Sequence, residues 1–444
     1  MSFSKYPKYK ASGVEWLGDV PEGWDVGRLK RVCHVFPSNV DKKSYDGETQ
    51  VLLCNYTDVY YHDTIVAGSD FMAATATTAQ IAQFTLRAGD TIITKDSETA
   101  DDIAIAAYVP ADLPGVICGY HLSMIRPTRA AHGAFVKRLF DSTYVKSCVA
   151  VRANGLTRVG LGQYEIDNLD LPFPPLSEQL AIAAFLDRET AKIDELVNAQ
   201  ARLIELLKEK RQAVISNAVT KGLNPHAPMK PSGVEWLGDV PEHWEVVRLR
   251  WLCEIKKRIA GQLGYDVLSI TQQGLRVRDI TSNDGQLSMD YSKYQMVEIG
   301  DFAMNHMDLL TGYVDLASMR GVTSPDYRVF SIRDATACRS SYILFLFQMG
   351  YRNRIFYAYG QGSSQLGRWR MPTEAFKDLS FPLPPLPEQL AIAAFLDRET
   401  ARIDTLTAEA QRAIDLLQER RSALISAAVT GQIDIRNTIP MEAA

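Results

Sequence analysis

Ser12 to Cys33 reads SGVEWLGDVPEGWDVGRLKRVC, and Ser232 to Cys253 reads SGVEWLGDVPEHWEVVRLRWLC, an offset of 232 − 12 = 220. A second block, Glu178 to Ala191, reads EQLAIAAFLDRETA and returns unchanged at Glu388 to Ala401, an offset of 388 − 178 = 210. Between these blocks the halves diverge. The first middle, roughly 34–171, is about ten residues longer than the second, roughly 254–381, as the two offsets require. A constant frame around two unlike inserts suits one task performed twice on two targets. A repeat of this kind fixes the architecture before any single element is assigned.

Working outward, each half runs in the same order: a Trp-containing lead-in, a divergent middle, a proline hinge and a long helix. The hinges are LPFPPL (171–176) and FPLPPL (381–386). Proline cannot continue a ladder or a helix interior but suits a first helical turn. Helices are therefore expected from Ser177 and Pro387, running without a breaker to Lys221-Gly222 and to Gly431. About 43 residues at 1.5 Å each make roughly 65 Å. Leu186, Ile193, Gln200, Leu207 and Val214 fall seven apart, with Leu196 and Leu203 between them. Leu396, Ile403, Ala410, Leu417 and Leu424 do the same, with Leu406 and Ala413 between. This is a coiled-coil seam, and its simplest partner is the other helix of the same chain. The short proline-rich linker KGLNPHAPMKPS (221–232) joins the halves, so antiparallel pairing would place the two middles at opposite ends.

The expected organisation is α+β: two α/β domains, 1–171 and 232–381, separated by two long helices, 172–222 and 382–431. A linker at 223–231 and a tail at 432–444 complete it. The helices form an antiparallel coiled coil with a pseudo-two-fold internal repeat. Composition agrees with a soluble globular protein, at 46% hydrophobic and 23% charged residues. No apolar run approaches a membrane span, and MSFSKYPKYK lacks the apolar core of a secretory signal. Six cysteines never form CxxC, so zinc-ribbon spacing is absent and a cytoplasmic, reduced protein is expected. Cys33 and Cys253 are repeat equivalents and read as buried small hydrophobes.

The net charge of −5 argues against a purely electrostatic nucleic-acid binder. Its distribution says more. Ala335 to Thr373 contains no Asp or Glu, and Leu113 to Tyr164 contains only Asp141. An acid-poor basic stretch thus closes each middle, which suits an anionic partner better than a merely solvated face. Catalytic signatures are missing. No Gly is followed by Lys, which excludes a Walker A loop, and no G-x-G-x-x-G is complete. Pro174-Pro175 and Pro384-Pro385 lack the polar residue and the aromatic that adenine methyl transfer needs beside them. Asp41-Lys42-Lys43 is a lone D-x-K without a repeat equivalent.

The lead-in GVEWLGDVPEGW, the hinge PPLSEQ or PPLPEQ running into AIAAFLD, and the two-copy layout resemble the specificity (S) subunit of Type I restriction–modification systems. The likeness covers essentially the whole chain. It implies a non-catalytic DNA reader, each middle a target-recognition domain for one half of a bipartite asymmetric site. It also implies helices that dock two methyltransferase subunits, which carry S-adenosylmethionine and modify adenine. Two motor–nuclease restriction subunits using ATP and Mg would complete a cleaving assembly. No cofactor is expected in this chain. The competing reading is a bivalent protein-binding scaffold without DNA contact; a duplicated enzyme stands behind both.

The segments that end the middles are the expected DNA contacts. Asn154-Gly-Leu-Thr-Arg-Val-Gly160 aligns with Gln361-Gly-Ser-Ser-Gln-Leu-Gly367, and Gly155 and Gly362 permit a tight turn. Asn154, Thr157, Arg158, Ser363, Ser364 and Gln365 can meet phosphates or base edges. Arg152, Arg352, Arg354, Arg368 and Arg370 are the expected charge contacts, because guanidinium pairs bidentately where Lys only neutralises. Trp16, Trp24, Trp236 and Trp244 belong to the constant frame and cannot discriminate two targets, so they read as packing anchors. Asp187, Arg188 and Glu189, identical to Asp397, Arg398 and Glu399, are candidates for binding two copies of one partner.

Overall fold

The computed structural model describes residues 3–279, 291–363 and 368–436. Two compact units emerge, residues 1–201 with 412–444, and residues 202–411. Each long helix is shared between them. The first helix runs Leu176–Lys221 over 46 residues, about 69 Å at 1.5 Å per residue, and the second Leu386–Val429 over 44. Both begin one residue earlier than the prolines suggest, because Pro175 and Pro385 carbonyls already accept from Glu178 and Gln179, and from Glu388 and Gln389. Gly222 and Gly431 take the left-handed conformation beyond the helix ends, with φ of +77° each, where a side chain would be strained.

In the first unit Asp25–Arg28 pairs antiparallel with Asp170–Phe173, so the hinge closes back on the lead-in. Trp24 is 1% exposed beside them. The middle holds a four-stranded antiparallel sheet in the order Cys33–Pro37, Leu122–Pro127, Thr91–Thr94, Ala106–Tyr108. A second sheet pairs Thr49–Cys54 parallel to Val116–Cys118 and antiparallel to Met72–Ala76. Leu122–Pro127 is buried on both faces, because strand side chains alternate. Its Ile125 enters the core of Phe135, Leu139 and Ile182, whereas Leu122 and Met124 enter that of Leu53, Ile92 and Ile117.

The second unit repeats the lead-in pairing, with Glu245–Arg248 against Ser380–Leu383, and buries Trp244 completely. Its four-stranded sheet runs Cys253–Lys256, Arg328–Ile332, Phe302–Met304, Val314–Leu316. Phe302 stacks on Phe330 at 5.0 Å, and Phe347 meets Phe381 at 4.9 Å. In place of a second sheet of three strands, its described residues show short hairpins such as Leu268–Thr271 with Gly274–Val277.

One device attaches each middle to its helix. Buried Gln179 accepts from His132 N–H (2.8 Å) and donates to the carbonyls of Ala130 (3.1 Å) and Pro174 (2.9 Å). Gln389 repeats this with Arg339 N–H (2.8 Å), Ala337 (3.0 Å) and Pro384 (2.8 Å). The helices Gly133–Asp141 and Ser340–Arg352 start just after these bonds.

The long-helix segments run antiparallel within each unit. In the first, Arg421 Nε donates to Asp194 at 2.9 Å, while Ile425, Ala428 and Val429 share a core with Ile182, Phe185 and Leu186. In the second, Arg211 Nε donates to Asp404 at 3.0 Å, and Ile215, Ala218 and Val219 join Ile392 and Leu396. The expected seam needs correcting in half its positions. Leu186, Ile193, Leu207, Leu396, Ile403 and Ala410 are buried, but Leu196, Leu203 and Leu406 are 52%, 42% and 41% exposed. Thr190, Ile204, Thr400 and Ile414 are buried instead, four residues after each first position rather than three. The apolar residues Val197 and Ile204 stand next to Leu196 and Leu203, so composition alone could not choose between the registers.

The tryptophans divide as well. Trp236 packs edge-on against Phe381 at 6.1 Å, whereas the equivalent of Phe381 in the first hinge is Leu171 and Trp16 is 58% exposed. All six cysteines are free and buried, and burial pushes the Cys33 thiol up to about 12. No helix among the described residues is long and apolar enough to cross a membrane.

Candidate nucleic-acid interface

The segment Asn154–Gly160 forms a closed loop. Asn154 and Gly160 exchange both backbone hydrogen bonds (3.1 and 2.9 Å), and Val159–Gly160 pairs with Asp96–Ser97. Gly155 has φ of +151°, and a Cβ there would lie 1.8 Å from the Arg158 carbonyl oxygen, so the turn excludes any side chain. Leu156, Thr157 and Arg158 project into solvent. Arg152 and Asn154 hold the loop instead: Arg152 Nη1 donates to the Cys148 carbonyl (2.9 Å), and Asn154 Nδ2 to the Arg152 carbonyl (2.9 Å).

An aromatic, mixed-charge surface lies beside it. Tyr56 stacks on Tyr60 at 5.4 Å, Tyr60 Oη donates to Asp102 (2.9 Å), and Tyr61 is 73% exposed. The Tyr56 hydroxyl is pushed up by burial and by Asp102, with Ser97 and Arg158 opposing. His121 Nδ1 lies 2.9 Å from Asp96 Oδ2, and the Lys95 ammonium sits 4.5 Å over the Tyr120 ring while donating to the Ser38 carbonyl. Reading the basic stretch alone missed these residues. The run Tyr56 to Tyr61, with three tyrosines in six positions, was the available signal.

The corresponding segment of the second unit is a hairpin, Gln361–Ser363 against Arg368–Arg370. The strand pairings Ser123–Ile93 and Arg328–Met304 set the equivalence. Both loops then end on the same backbone bond, Leu161 N–H to Lys95 (2.8 Å) and Met371 N–H to His306 (2.9 Å). Gly362, with φ of +135°, matches Gly155. The two loops therefore match at Asn154/Gln361, but Gly160 corresponds to Arg370 rather than Gly367, and the second loop is 210 − 207 = 3 residues longer. Trp369 braces it: the ring stacks on Tyr357 at 5.1 Å and Nε1 donates to the Tyr357 carbonyl at 2.7 Å. Ser364 and Gln365 lie outside the described residues, and Ser363 and Arg368 are placed only as strand positions.

Arg370 is exposed at the hairpin base. Arg352 ends the helix Ser340–Arg352 with its guanidinium 5.7 Å over Tyr313, and Arg354, at φ of +55°, opens the turn that carries Tyr357. Between them Asn353 bonds Gln212 (2.7 Å) and Ser216 (3.0 Å) of the first long helix, which fixes this corner. Behind the hairpin stands Arg328, 4% exposed. Its Nη2 donates to the Met371 carbonyl at 3.1 Å, and the guanidinium lies 4.6 Å over Phe376, but Nη1 has no hydrogen-bond partner among the described residues. Burial pulls its pKa down to about 10. His306 is held down to about 4 by burial and by Arg328 and Arg370, and its Nδ1 is likewise unpartnered. Neither residue was singled out from the sequence, because both precede the acid-free stretch.

The six candidates on the helices are not equally engaged. Asp187 accepts from Arg138 Nη2 at 2.7 Å, and Glu189 accepts from Lys192 (2.8 Å) and Arg188 (3.2 Å), which hold its carboxyl below the usual range. Arg398 lies 5.9 Å over Phe395, whereas Asp397 and Glu399 make no side-chain ion pair among the described residues. No group of His, Cys, Asp and Glu among the described residues could hold a metal.

Comparison with known proteins places this arrangement. The family model described as the Type I restriction modification DNA specificity domain matches twice, at residues 21–206 and 241–415. The chain is 24% identical over 285 residues to the MjaVIII specificity subunit of Methanocaldococcus jannaschii, covering 61% of this chain and 64% of that one. It is 20% identical over 337 residues to the EcoKI specificity subunit of Escherichia coli, covering 72% and 68%. The aligned part thus spans about 56% to 68% of the length of the curated relatives. A solved chain from a structural study of Type I system assembly superposes with a TM-score of 0.70 at 18% identity, covering 92% of this chain and 98% of that one. The HsdS subunit of Thermoanaerobacter tengcongensis gives 0.54 at 18% identity, covering 93% and 98%.

Proposed function

The chain belongs to the family of Type I restriction–modification DNA specificity proteins, and from that premise we propose a bipartite reader of double-stranded DNA. Each unit reads one half of an asymmetric site, the long helices pair as one antiparallel coiled coil with pseudo-two-fold symmetry, and the chain itself performs no catalysis. The observation that carries this reading is the pairing of a constant frame with divergent middles. The same lead-in, hinge and Gln179/Gln389 attachment recur, while the loops they present differ in length and chemistry.

In the first unit, Arg158 and Thr157 meet the sugar–phosphate backbone, while Tyr56, Tyr60, Asp96 and His121 offer hydroxyl, carboxylate and imidazole groups to base edges. Carboxylates on a DNA face are repelled by phosphates but accept from cytosine or adenine amines, which makes them selective rather than merely adhesive. In the second unit Arg370 and Arg352 carry the charge contacts. Asp187, Arg188 and Glu189, with Asp397, Arg398 and Glu399, dock two copies of one methyltransferase subunit that supplies S-adenosylmethionine. Restriction subunits with ATP and Mg join the same assembly.

The test is to map methylated adenines in a strain carrying the chain with residues 254–381 replaced by another middle. One half-site should change and the other stay. If both change, or neither does, the bipartite reading fails.

A further inference from the structure

Among the described residues three cationic side chains are buried: Lys137, Arg138 and Arg328. Lys137 and Arg138 are surrounded by carboxylates. Arg328 is not. The Tyr351 hydroxyl, whose ionised form would favour the Arg328 cation, donates to the Asn305 carbonyl at 2.6 Å and is itself pushed up by burial, so it supplies no counter-charge. Asp308 is occupied by Leu310 and Thr311, and the next acid-free stretch runs from Ala335 to Thr373. A buried guanidinium with a free N–H and no counter-charge is costly to keep, and an unpartnered buried donor calls for its own explanation.

We propose that Arg328 Nη1, His306 and Arg370 form a receptor for a phosphate-type oxyanion at the base of the Gln361–Arg370 hairpin. Its occupant in the working assembly is a phosphodiester of the bound DNA. Arg328 supplies the desolvated charge, where an N–H to oxyanion bond is strongest. Arg370, exposed on the hairpin strand, precedes Met371, whose carbonyl accepts from Arg328 and whose N–H donates to the His306 carbonyl, and so adds a second charge at the hairpin base. The site belongs to the second unit alone. The equivalents of Arg328 and Arg370 in the first are Ser123 and Gly160, which carry no charge, and the equivalent of His306 is Lys95, already engaged by the Ser38 carbonyl and the Tyr120 ring. The choice of a DNA phosphate rests on the DNA-reading function; the oxyanion receptor does not.

The experiment has two arms. The full chain is melted in inorganic phosphate and in sodium chloride at equal ionic strength. Phosphate should raise the midpoint saturably for the native chain and not for Arg328→Met. In phosphate-free buffer the variant should melt no lower than the native chain, since the substitution removes an uncompensated charge. Arg370→Gln, on an exposed position, should weaken the phosphate response several-fold and carries the test if Arg328→Met does not fold. Lys95→Met should leave the response intact. Equal midpoints in the two salts would overturn the receptor. In the second arm the chain assembled with its methyltransferase subunits is titrated with duplex DNA across a salt series. Arg328→Met and Arg370→Gln should each reduce the slope of log K against log salt by about one. A phosphate response that depends on Arg328 with an unchanged slope would leave a free oxyanion as the occupant and overturn the DNA phosphate. An assembly that binds no duplex while phosphate still stabilises the chain would sink the DNA-reading function and keep the receptor.

Discussion

Arg138 and Arg328 are guanidinium groups of similar burial in opposite surroundings. Arg138 has Asp141 at 3.1 Å and Asp187 at 2.7 Å, and Lys137 beside it has Asp63 at 2.9 Å and Asp141 at 2.8 Å. Burial alone would lower the Arg138 pKa, but Asp141, Asp187 and Asp63 together raise it. Arg328 has carbonyl, hydroxyl and aromatic neighbours and, among the described residues, no acid. The first cluster is self-sufficient: it ties the 61–64 loop, the helix Gly133–Asp141 and both long-helix segments of the first unit into one charged joint. The second is incomplete by itself. The same frame therefore tolerates two answers to a buried charge, one supplied within the chain and one left for a ligand.

The largest effect should come from breaking the self-sufficient side. Asp141→Ala strips a carboxylate from two buried cations and should destabilise the first unit by about 3 kcal/mol, read as faster hydrogen exchange confined to that unit. Arg328→Met should cost the second unit almost nothing without anions. If the two substitutions cost the same, the distinction collapses. Next come Gln179→Ala and Gln389→Ala, each taking the side-chain partner from one N–H and two carbonyls, of which the Pro174 or Pro384 carbonyl is buried, for about 2 kcal/mol apiece in urea titrations. Equal losses would show that the attachment belongs to the frame, and unequal ones that the middles contribute to it.

A smaller difference separates the buried tryptophans. Trp244 Nε1 donates to Glu388 at 3.1 Å, whereas Trp24 Nε1 has no partner among the described residues and Glu178 accepts from Tyr6 instead. Trp244→Phe should therefore cost about 1 kcal/mol more than Trp24→Phe. The smallest effect concerns pH. Partial loss of water alone would raise the Asp63 carboxyl, but Lys137, Arg138 and Arg421 pull it below its ordinary range. A depressed carboxyl contributes stability that is present above its unfolded pKa and lost as pH falls through the folded one. Acidification below the carboxylate range should thus loosen the 61–64 loop, and Asp63→Asn should remove that pH dependence. Because Asp63 is largely exposed, the change should stay below about 1 kcal/mol. A native-like pH profile in the variant would assign the loop's anchoring elsewhere.

The frame was legible in sequence because its signals are backbone signals. Proline pairs start helices, glycines end them, and an unchanged fourteen-residue block declares its own repeat. The seam was half legible, since Leu196 and Val197 are equally apolar and only packing against Thr190 and Ile204 positions selects one. The middles were not legible, because Leu122–Pro127 is buried on both faces and shows no alternation. The candidate site was marked in sequence by charge and could not be marked where charge is hidden. Arg158 and Arg370 stand in acid-poor runs, while Arg328 precedes its run and is revealed only by a lost partner in three dimensions.

Gln179 and Gln389 have a consequence beyond stability. Every bond they make goes to a peptide group: one N–H and two carbonyls in each unit. A socket that grips peptide groups is blind to the side chains plugged into it. Whatever middle evolution inserts need only arrive at the helix with its chain in the right conformation, and its letters are then free to drift. Diversification of the middles can proceed by exchange of whole modules, without any compensating change in the part that holds them.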